Sequence, residues 1–599
     1  MTLPSDPGAR HIPLPDEDDW YAPDEHLQRL TRRAVGEALW PVADAALREA
    51  GQISAQKLEP LARTADRHPP ILHQYNARGE RIDEIEFHPA YKEIENTVVG
   101  FGAVRMGFRP GWRGLQGRAP RVLVSAVHYL FLQADQAITG CPIGMMDAGA
   151  RALERNDAQL AARFLPRITD DTGNHMTVAM FLTEKAGGSD VGANETVAVR
   201  QDDGTYRLTG EKWFASCPHS DLILVMARPE GAGPGTRGLG LFLVPRHLED
   251  GTRNSYVLHR LKDKYGTRAM ASSELGLRGA FAWPVGDINK GMKQMLDMVN
   301  LTRVGIATAT AGSMRRSAYE SLLHARYRST FGRQLNLHPM MRDTLAELVV
   351  DSVAGLTAAF AVSEGLDAAD AGEPGWDGTV RLLTPLLKMH GTERAVHTAR
   401  EAMEVRGGNG FIEDWPNSRM LRDVSVHAIW EGPGNIMALD VLRALAHGAG
   451  PDFLADLERR SENVATGGAM APLAPALMEH TRRVERDIAM LAQLDPDAQQ
   501  LPMRRLARRM AMLAIGSRLA EQAREHAAET GSGRLSWLAA RYLARLGGEN
   551  AVAALADDAT WLAHAEPLLY GGAVPAEVGE RAVRTVAAAL HGSDLPAAV

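Results

Sequence analysis

The first feature of this 599-residue sequence that could do chemistry is a carboxylate set among apolar and glycine residues. Residues 429–436 read IWEGPGNI, so Glu431 follows a tryptophan and precedes a glycine-rich turn. Removing a carboxylate from water disfavours its charged form and makes it a competent base near neutral pH. An ordinary surface glutamate before a turn would give the same letters. Glu431 is therefore a candidate general base.

Two further segments suit a flat ring and its phosphates. Residues 183–190 (TEKAGGSD) follow an apolar run, and their glycines would let the backbone approach a ligand, although an ordinary turn has the same composition. Residues 210–216 (GEKWFAS) alternate so that Phe214 and Ser216 share one strand face. An aromatic beside a hydroxyl suits a flavin, while an aromatic on a strand is also common in a plain core.

Two more segments come later in the chain. Residues 328–332 (RSTFG) combine an arginine with an aromatic, which could contact an adenine and its phosphates. A helix that ends at a glycine gives the same letters. Residues 404–411 (EVRGGNGF) are glycine-rich and could approach a phosphate or a ring. Each segment alone is ambiguous.

The elements that must position these segments change type twice along the chain. The pattern is mostly helical from Asp24 to Arg163, short β-prone runs and turns fill residues 176–244, and helical periodicity returns at Gly291. Six or more short strands within about 110 residues predict a compact β-barrel or sandwich. The predicted fold is α+β, with a helical N-terminal domain (residues 1–175), a central β domain (176–288), a helical bundle (289–447) and an additional C-terminal helical domain (448–599).

Composition narrows the class of protein. The formal net charge is −8 and the pI is about 6.2, which argues against a general nucleic-acid or membrane binder. The two cysteines, Cys141 and Cys217, lack metal-ligand spacing, so we expect free thiols and no metal site. We identify no signal peptide and no stretch near the roughly 18 apolar residues that cross a membrane. These features predict a cytoplasmic protein.

Taken together and in order, the motifs resemble those of the acyl-CoA dehydrogenases, over roughly residues 70–447. The AidB-like branch, named for a bacterial protein induced in the response to DNA alkylation, is the most similar. The supporting segments are residues 81–89 (RIDEIEFHP), 183–190, 210–216, 260–268 (RLKDKYGTR), 404–408 and 429–436. Lys185 stands where ordinary members have proline, Pro433 where many have a hydroxyl residue, and Glu404 where glutamine is frequent.

The resemblance implies FAD as cofactor and a role for each matching residue. Glu431 would be the catalytic base, since Thr302 occupies the position at which some relatives carry theirs. Arg303 and Ser189 would contact the substrate. The residues implied to bind FAD are Met180, Leu182, Thr183, Gly188, Ser189, Phe214, Ser216, Arg328, Phe331, Glu404, Gly408, Ile429, Gly432 and Asn435. Of these, Arg328, Phe331, Glu404 and Gly408 would reach FAD held mainly by a neighbouring subunit.

The resemblance also implies a reaction and partners. Glu431 would remove the α proton of an acyl-CoA while the β hydrogen leaves as hydride to flavin N5, which gives a 2-enoyl-CoA. Electrons would then pass to an electron-transfer flavoprotein. Sharing of FAD between subunits implies a homo-oligomer, a dimer of dimers.

Two alternative functions remain. The prototype of the branch binds duplex DNA through its C-terminal helices, and Arg504, Arg505, Arg508 and Arg509 would share one helix face here, preceded by Arg482, Arg483 and Arg486. Residues 451–599 nevertheless hold 16 basic and 19 acidic side chains, so DNA binding is not favoured. An oxidase or monooxygenase on the same scaffold is the other alternative. Glutamate at position 431 favours the dehydrogenase.

Overall fold

The computed structural model describes residues 19–591, which form two compact units. The first, called here the barrel unit, comprises residues 28–309 and 425–436. The second, the helical unit, comprises the described residues 19–27, 310–424 and 437–591. Residues 425–436, which include Glu431, therefore belong to the barrel unit, although the chain on either side of them belongs to the helical unit.

The first half of the barrel unit is mostly helical, as predicted. Its elements are most of α1 (Glu25–Ile53), followed by α2 (Glu59–Arg67), β1 (Ile71–Tyr75), β2 (Arg81–Glu86), α3 (Pro89–Gly100), α4 (Arg121–Ala134), α5 (Gly144–Asn156) and α6 (Ala158–Ile168). The antiparallel hairpin of β1 and β2 is absent from the sequence prediction, because its mostly exposed strands have too few apolar residues to signal a buried face. Helix α4 is buried along its whole length, so it is a core helix and not one with a single apolar face.

Seven strands follow: β3 (Val178–Phe181), β4 (Val197–Arg200), β5 (Tyr206–Ser216), β6 (Leu222–Pro229), β7 (Gly240–Pro245), β8 (Tyr256–Leu261) and β9 (Ser272–Pro284). The pairings β6–β4, β4–β5, β5–β9, β9–β7 and β7–β6 close a ring, to which β3 and β8 are attached. The predicted barrel is thus confirmed. Sequence reasoning missed β8 and β9, because their glycines and charged residues mask an extended strand that pairing with β5 stabilises.

The chain enters the helical unit within α7 (Gly291–Tyr327). Its further elements are β10 (Ser329–Thr330), β11 (Arg333–Gln334), α8 (Pro339–Asp370), α9 (Trp376–Arg406), α10 (Gly408–Phe411), α11 (Pro416–His427), α12 (Gly434–Ala446), α13 (Gly450–Ala465), α14 (Ala474–Leu491), α15 (Pro496–Thr530), α16 (Arg534–Ala544), α17 (Gly548–Ala556), α18 (Ala565–Tyr570) and α19 (Ala576–His591). A core cluster of Met314, Ala395, Ala399 and Val424 joins α7, α9 and α11.

Buried ion pairs connect the additional C-terminal helices to the rest of the helical unit. Arg545, the residue directly after α16, donates to Glu347 and Asp351 on α8, each at 2.6 Å, and Arg394 on α9 donates to Asp351 at 2.6 Å. Burial alone would raise the pKa of Asp351, but Arg545 and Arg394 lower it to about 2. The added helices are therefore fixed to α8 and α9 by charge as well as by apolar packing.

The expectation that no stretch is long and apolar enough to cross a membrane is wrong for helix α8. Among the described residues it is the one helix long and apolar enough to do so, at 32 residues. Inside the protein, 94% of its most apolar stretch is buried. Its apolar composition is therefore that of a core helix surrounded by other helices.

Candidate functional site

Glu431 lies in the turn between α11 and α12, called here the base turn (residues 428–433). Its backbone φ is +56°, in the left-handed region that residues other than glycine rarely adopt. Such a conformation costs about 1–3 kcal/mol and persists only where the surrounding structure enforces it. Gly432 follows at φ +106°, which a side chain would also resist. The half-buried carboxylate is thus presented on a strained turn.

Thr302 on α7 hydrogen-bonds to the Glu431 carboxylate through its hydroxyl. The same hydroxyl lies 2.9 Å from the carbonyl oxygen of Val299, one turn back along the helix. A hydroxyl has a single proton and can donate to only one of these acceptors at a time. It can donate to an ionised Glu431, or accept from a protonated Glu431 while donating to Val299. Thr302 can therefore serve both protonation states of the base.

Arg303, the next residue of α7, contacts the backbone of the same glutamate. Its guanidinium lies 3.3–3.4 Å from the carbonyl oxygen of Glu431, and only 8% of the residue is exposed. The predicted substrate contact of Arg303 stays a prediction. The observed contact joins the Arg303 guanidinium to the backbone of the strained turn.

A buried ion pair joins the loop of residues 183–190 to strand β5. The Lys212 ammonium lies 2.6 Å from Glu184 Oε1, and these side chains are 0% and 4% exposed. Glu184 also accepts hydrogen bonds from the hydroxyl of Thr196 at 2.6 Å and from the N–H of Glu195 at 2.6 Å. Burial lowers the pKa of Lys212 below its usual value, although the Glu184 carboxylate opposes this.

Next to this ion pair, the regular alternation of side chains between the two faces of β5 is interrupted. Lys212 and Ala215 are three positions apart, whereas their partners on β9, Leu275 and Ser273, are two apart, so β5 carries a bulge. Bulges re-aim side chains and are frequent near active sites. Beyond the bulge Ala215 faces the interior, while Phe214 is 54% exposed and Ser216 half-buried. The prediction that Phe214 and Ser216 share a face agrees with this geometry.

These residues fit FAD. The N–H of Trp213 donates to the carbonyl oxygen of Thr183 at 3.0 Å, so the loop lies directly against the strand that presents Phe214. The loop turns tightly: a Cβ on Gly187 would come within 2.6 Å of the Asp190 carbonyl oxygen. Together they offer an exposed aromatic, a hydroxyl and open backbone at Gly188, which suit a flat polar ring.

The remaining predicted residues fall into two groups. Thr183 and Ser189 lie in the loop already described, and Met180, Leu182, Ile429 and Asn435 also belong to the barrel unit. Arg328, Phe331, Glu404 and Gly408 belong to the helical unit. Phe331 forms the tip of the β10–β11 hairpin at φ +48°, with 98% of the residue exposed. The side chain of Glu404 bonds to Arg400 at 2.5 Å.

Sequence reasoning missed two residues that shape the site, Glu184 and Lys212. The available signal was an acid in one glycine-rich motif and a lysine in the next, each flanked by strand residues. Alternation alone would have placed Lys212 on the face of Phe214, and only the bulge separates them.

Comparison with known proteins agrees with this architecture. A model of the N-terminal domain of the adaptive response protein AidB matches residues 12–173. Models of the middle and C-terminal domains of acyl-CoA dehydrogenases match residues 179–280 and 289–446. The chain belongs to the acyl-CoA dehydrogenase family, with an AidB-type N-terminal domain. It is an FAD-dependent oxidoreductase acting on CH–CH groups.

Individual relatives make the similarity more specific. The AidB protein of Escherichia coli K12 is 36% identical over 411 residues, which cover 66% of this chain and 73% of AidB. Acyl-CoA dehydrogenase family member 11 of Caenorhabditis elegans is 32% identical over 439 residues, covering 71% and 70% of the two chains. The crystal structure of C. elegans ACDH-11 in complex with C11-CoA superposes with a TM-score of 0.80 at 28% identity, covering 90% and 93%.

Proposed function

We propose that this protein dehydrogenates an acyl-CoA, with Glu431 as the base that removes the α proton. The observation that carries the proposal is the strained base turn, in which the backbone of Glu431 is left-handed while Thr302 holds its carboxylate. Strain of this kind concentrates at functional sites. A C11-CoA complex of a 28% identical relative supports the substrate class.

Each side chain of the site has a separate part in the proposed reaction. Glu431 would take the proton, and the Thr302 hydroxyl can exchange between donor and acceptor as the carboxylate becomes protonated. Arg303 holds the carbonyl oxygen of Glu431 and so limits rotation of the turn. Phe214, Ser216 and the 183–190 loop would hold the isoalloxazine ring. FAD, when bound, supplies the acceptor for the β hydrogen and its electrons.

The proposal is tested by anaerobic bleaching of the FAD-loaded protein. We expect the visible absorbance of the oxidised flavin to fall on addition of straight-chain acyl-CoAs, because the flavin accepts the electrons. Branched and aromatic acyl-CoAs, tested in parallel, define the acyl pocket. The control is an acyl-CoA analogue without an α hydrogen, which should leave the absorbance unchanged. No bleaching by any acyl-CoA would contradict the proposal.

The structure gives a reason to favour dehydrogenation over DNA binding. Arg504 and Arg508 donate to Glu393 at 2.7 and 2.9 Å, and Arg509 donates to Asp487 at 2.5 Å. Similarly, Arg486 pairs with Glu479 at 2.7 Å. Carboxylates beside these guanidinium groups reduce the positive field that would attract phosphates.

Gel-shift assays at physiological salt test the DNA hypothesis. We expect the full chain and a double variant, Arg504→Ala/Arg508→Ala, to show equally negligible binding to duplex DNA. The reason is that Arg504 and Arg508 are already paired with Glu393 in the full chain. Tight binding by the full chain that the double variant loses would instead establish a DNA-binding face.

Partners and assembly remain part of the proposal. We expect a cytoplasmic homo-oligomer, a dimer of dimers, that passes electrons to an electron-transfer flavoprotein and does not bind membranes. The expectation of self-association rests on the resemblance, in which Phe331 would reach FAD held mainly by a neighbouring subunit, and Phe331 is exposed enough for such a contact. The oxidase or monooxygenase alternative is less well supported, since the base turn presents a glutamate suited to α-proton removal.

A further inference from the structure

A buried chain of hydrogen bonds leads from the base turn into the interior of the barrel unit. The indole N–H of Trp430 lies 3.2 Å from His427 Nδ1, and His427 Nε2 lies 2.7 Å from Gln136 Oε1. The Gln136 amide nitrogen donates to the carbonyl oxygens of Leu132 at 2.5 Å and Ala309 at 3.1 Å. His427 and Gln136 are only 1% and 5% exposed. These contacts are called here the Trp430 relay.

Only one arrangement of protons satisfies the relay. An indole N–H can only donate, so Nδ1 of His427 must accept and the proton must reside on Nε2. The oxygen of Gln136 then accepts from Nε2, and its NH₂ group serves both backbone carbonyls. If the amide were flipped, its NH₂ group would face Nε2–H and its oxygen would face two carbonyl oxygens. The relay therefore fixes one tautomer and one amide orientation.

We infer that His427 and Gln136 are positioning residues for the reaction, although neither is placed to touch substrate. Through Trp430 they hold the N-terminal side of Glu431, whereas Thr302 and Arg303 hold its carboxylate and its carbonyl oxygen. A left-handed glutamate needs such restraint on both sides, because it relaxes where its surroundings permit. The inference rests on the proposed role of Glu431.

Three variants remove the polar atoms of the relay at different points: Trp430→Phe, His427→Phe and Gln136→Leu. We expect each to lower the anaerobic bleaching rate with an acyl-CoA by about 10- to 100-fold, since a misplacement of about 1 Å can cost about that much. The half-saturating acyl-CoA concentration should stay within about threefold, because the relay affects alignment more than binding.

Trp430→Phe combined with Gln136→Leu should be no slower than the slower single variant. In the relay, Trp430 and Gln136 are connected only through His427, so the losses in bleaching rate caused by the two substitutions should not add. Additive losses would show two independent effects and overturn the inference.

A readout without turnover separates this inference from the proposed function. Hydrogen exchange, followed by mass spectrometry on the FAD-loaded protein without substrate, should be faster in the base turn of all three variants. The control is His128→Phe, since His128 is another buried histidine of the barrel unit, bonded to the Ala103 carbonyl oxygen at 3.2 Å. It should change neither base-turn exchange nor bleaching.

The outcomes are distinguishable. Faster exchange in the relay variants of a protein that no acyl-CoA bleaches would support the restraint on the turn and reject Glu431 as base. Wild-type bleaching rates and unchanged exchange in the variants would overturn the inference. Slower bleaching without faster exchange would also overturn it, as would an equal effect of His128→Phe. Trp430→Phe, the variant at the half-buried end of the relay, keeps the test valid if a more buried variant fails to fold.

Discussion

Replacement of Glu431 by glutamine is expected to leave a yellow, FAD-loaded protein that acyl-CoA no longer bleaches. Glutamine has nearly the same size and can still accept a hydrogen bond from Thr302 through its amide oxygen. It cannot take up a proton near neutral pH. Because a positioned general base contributes about 10²- to 10⁴-fold to a reaction rate, the bleaching rate should fall by at least that range. Stopped-flow absorbance under anaerobic conditions measures it.

A matched carboxylate variant serves as the control for this experiment. Glu86 on the β1–β2 hairpin is 65% exposed at its side chain, and Glu86→Gln should bleach at the wild-type rate. Equal flavin content in the Glu431 variant and in wild type would show that the lost rate reflects chemistry and not cofactor binding. Undiminished bleaching by Glu431→Gln would remove Glu431 from the mechanism.

The second large effect concerns the buried pair of Glu184 and Lys212. Replacing Lys212 by methionine keeps the length of the side chain but leaves a carboxylate that is 4% exposed without its cation. Breaking one partner of a buried pair costs about 3–5 kcal/mol. The free energy of unfolding measured in urea should fall by about this amount. The FAD content should fall with it, because the pair joins the 183–190 loop to β5.

Two further variants make this prediction specific. Glu184→Gln together with Lys212→Met should recover part of the loss, since it removes both charges from the interior. Lys57→Met breaks the exposed pair with Glu93, whose side chains are 46% and 50% exposed, and should cost less than about 1 kcal/mol. A Lys212→Met protein with wild-type stability and full FAD content would contradict the role given to the pair.

Much of the fold followed from local patterns. The change from helical periodicity to short strands and back predicted the order of elements, and the barrel strands from β3 to β7 lie close to where alternation indicated them. Strands β8 and β9 and the β1–β2 hairpin were missed, because their stability comes from pairing with distant strands or from an exposed hairpin. Helix α4 lies within the stretch predicted to be helical, and only the structure shows that it is buried along its whole length.

The arginine-rich face of α15 shows that local sequence patterns are equally limited as predictors of function. Spacing correctly indicated that Arg504 and Arg508 share a helix face, because helical geometry is local. Their partner Glu393 lies 111 and 115 residues earlier in the chain, so no local pattern could show that their charge is paired. Charge patterns predict a surface, and only packing decides which charges meet a partner.

The sequence by itself determined the family, the cofactor class and the identity of the candidate base, because these depend on residue types within short ordered motifs. Only the tertiary structure decided what surrounds that base. Thr302 lies 129 residues before Glu431, and Gln136 lies 291 residues before His427. Chain folding brings such residues together, and the choice of a hydrogen-bond partner that is distant in the chain leaves no local signal in the sequence.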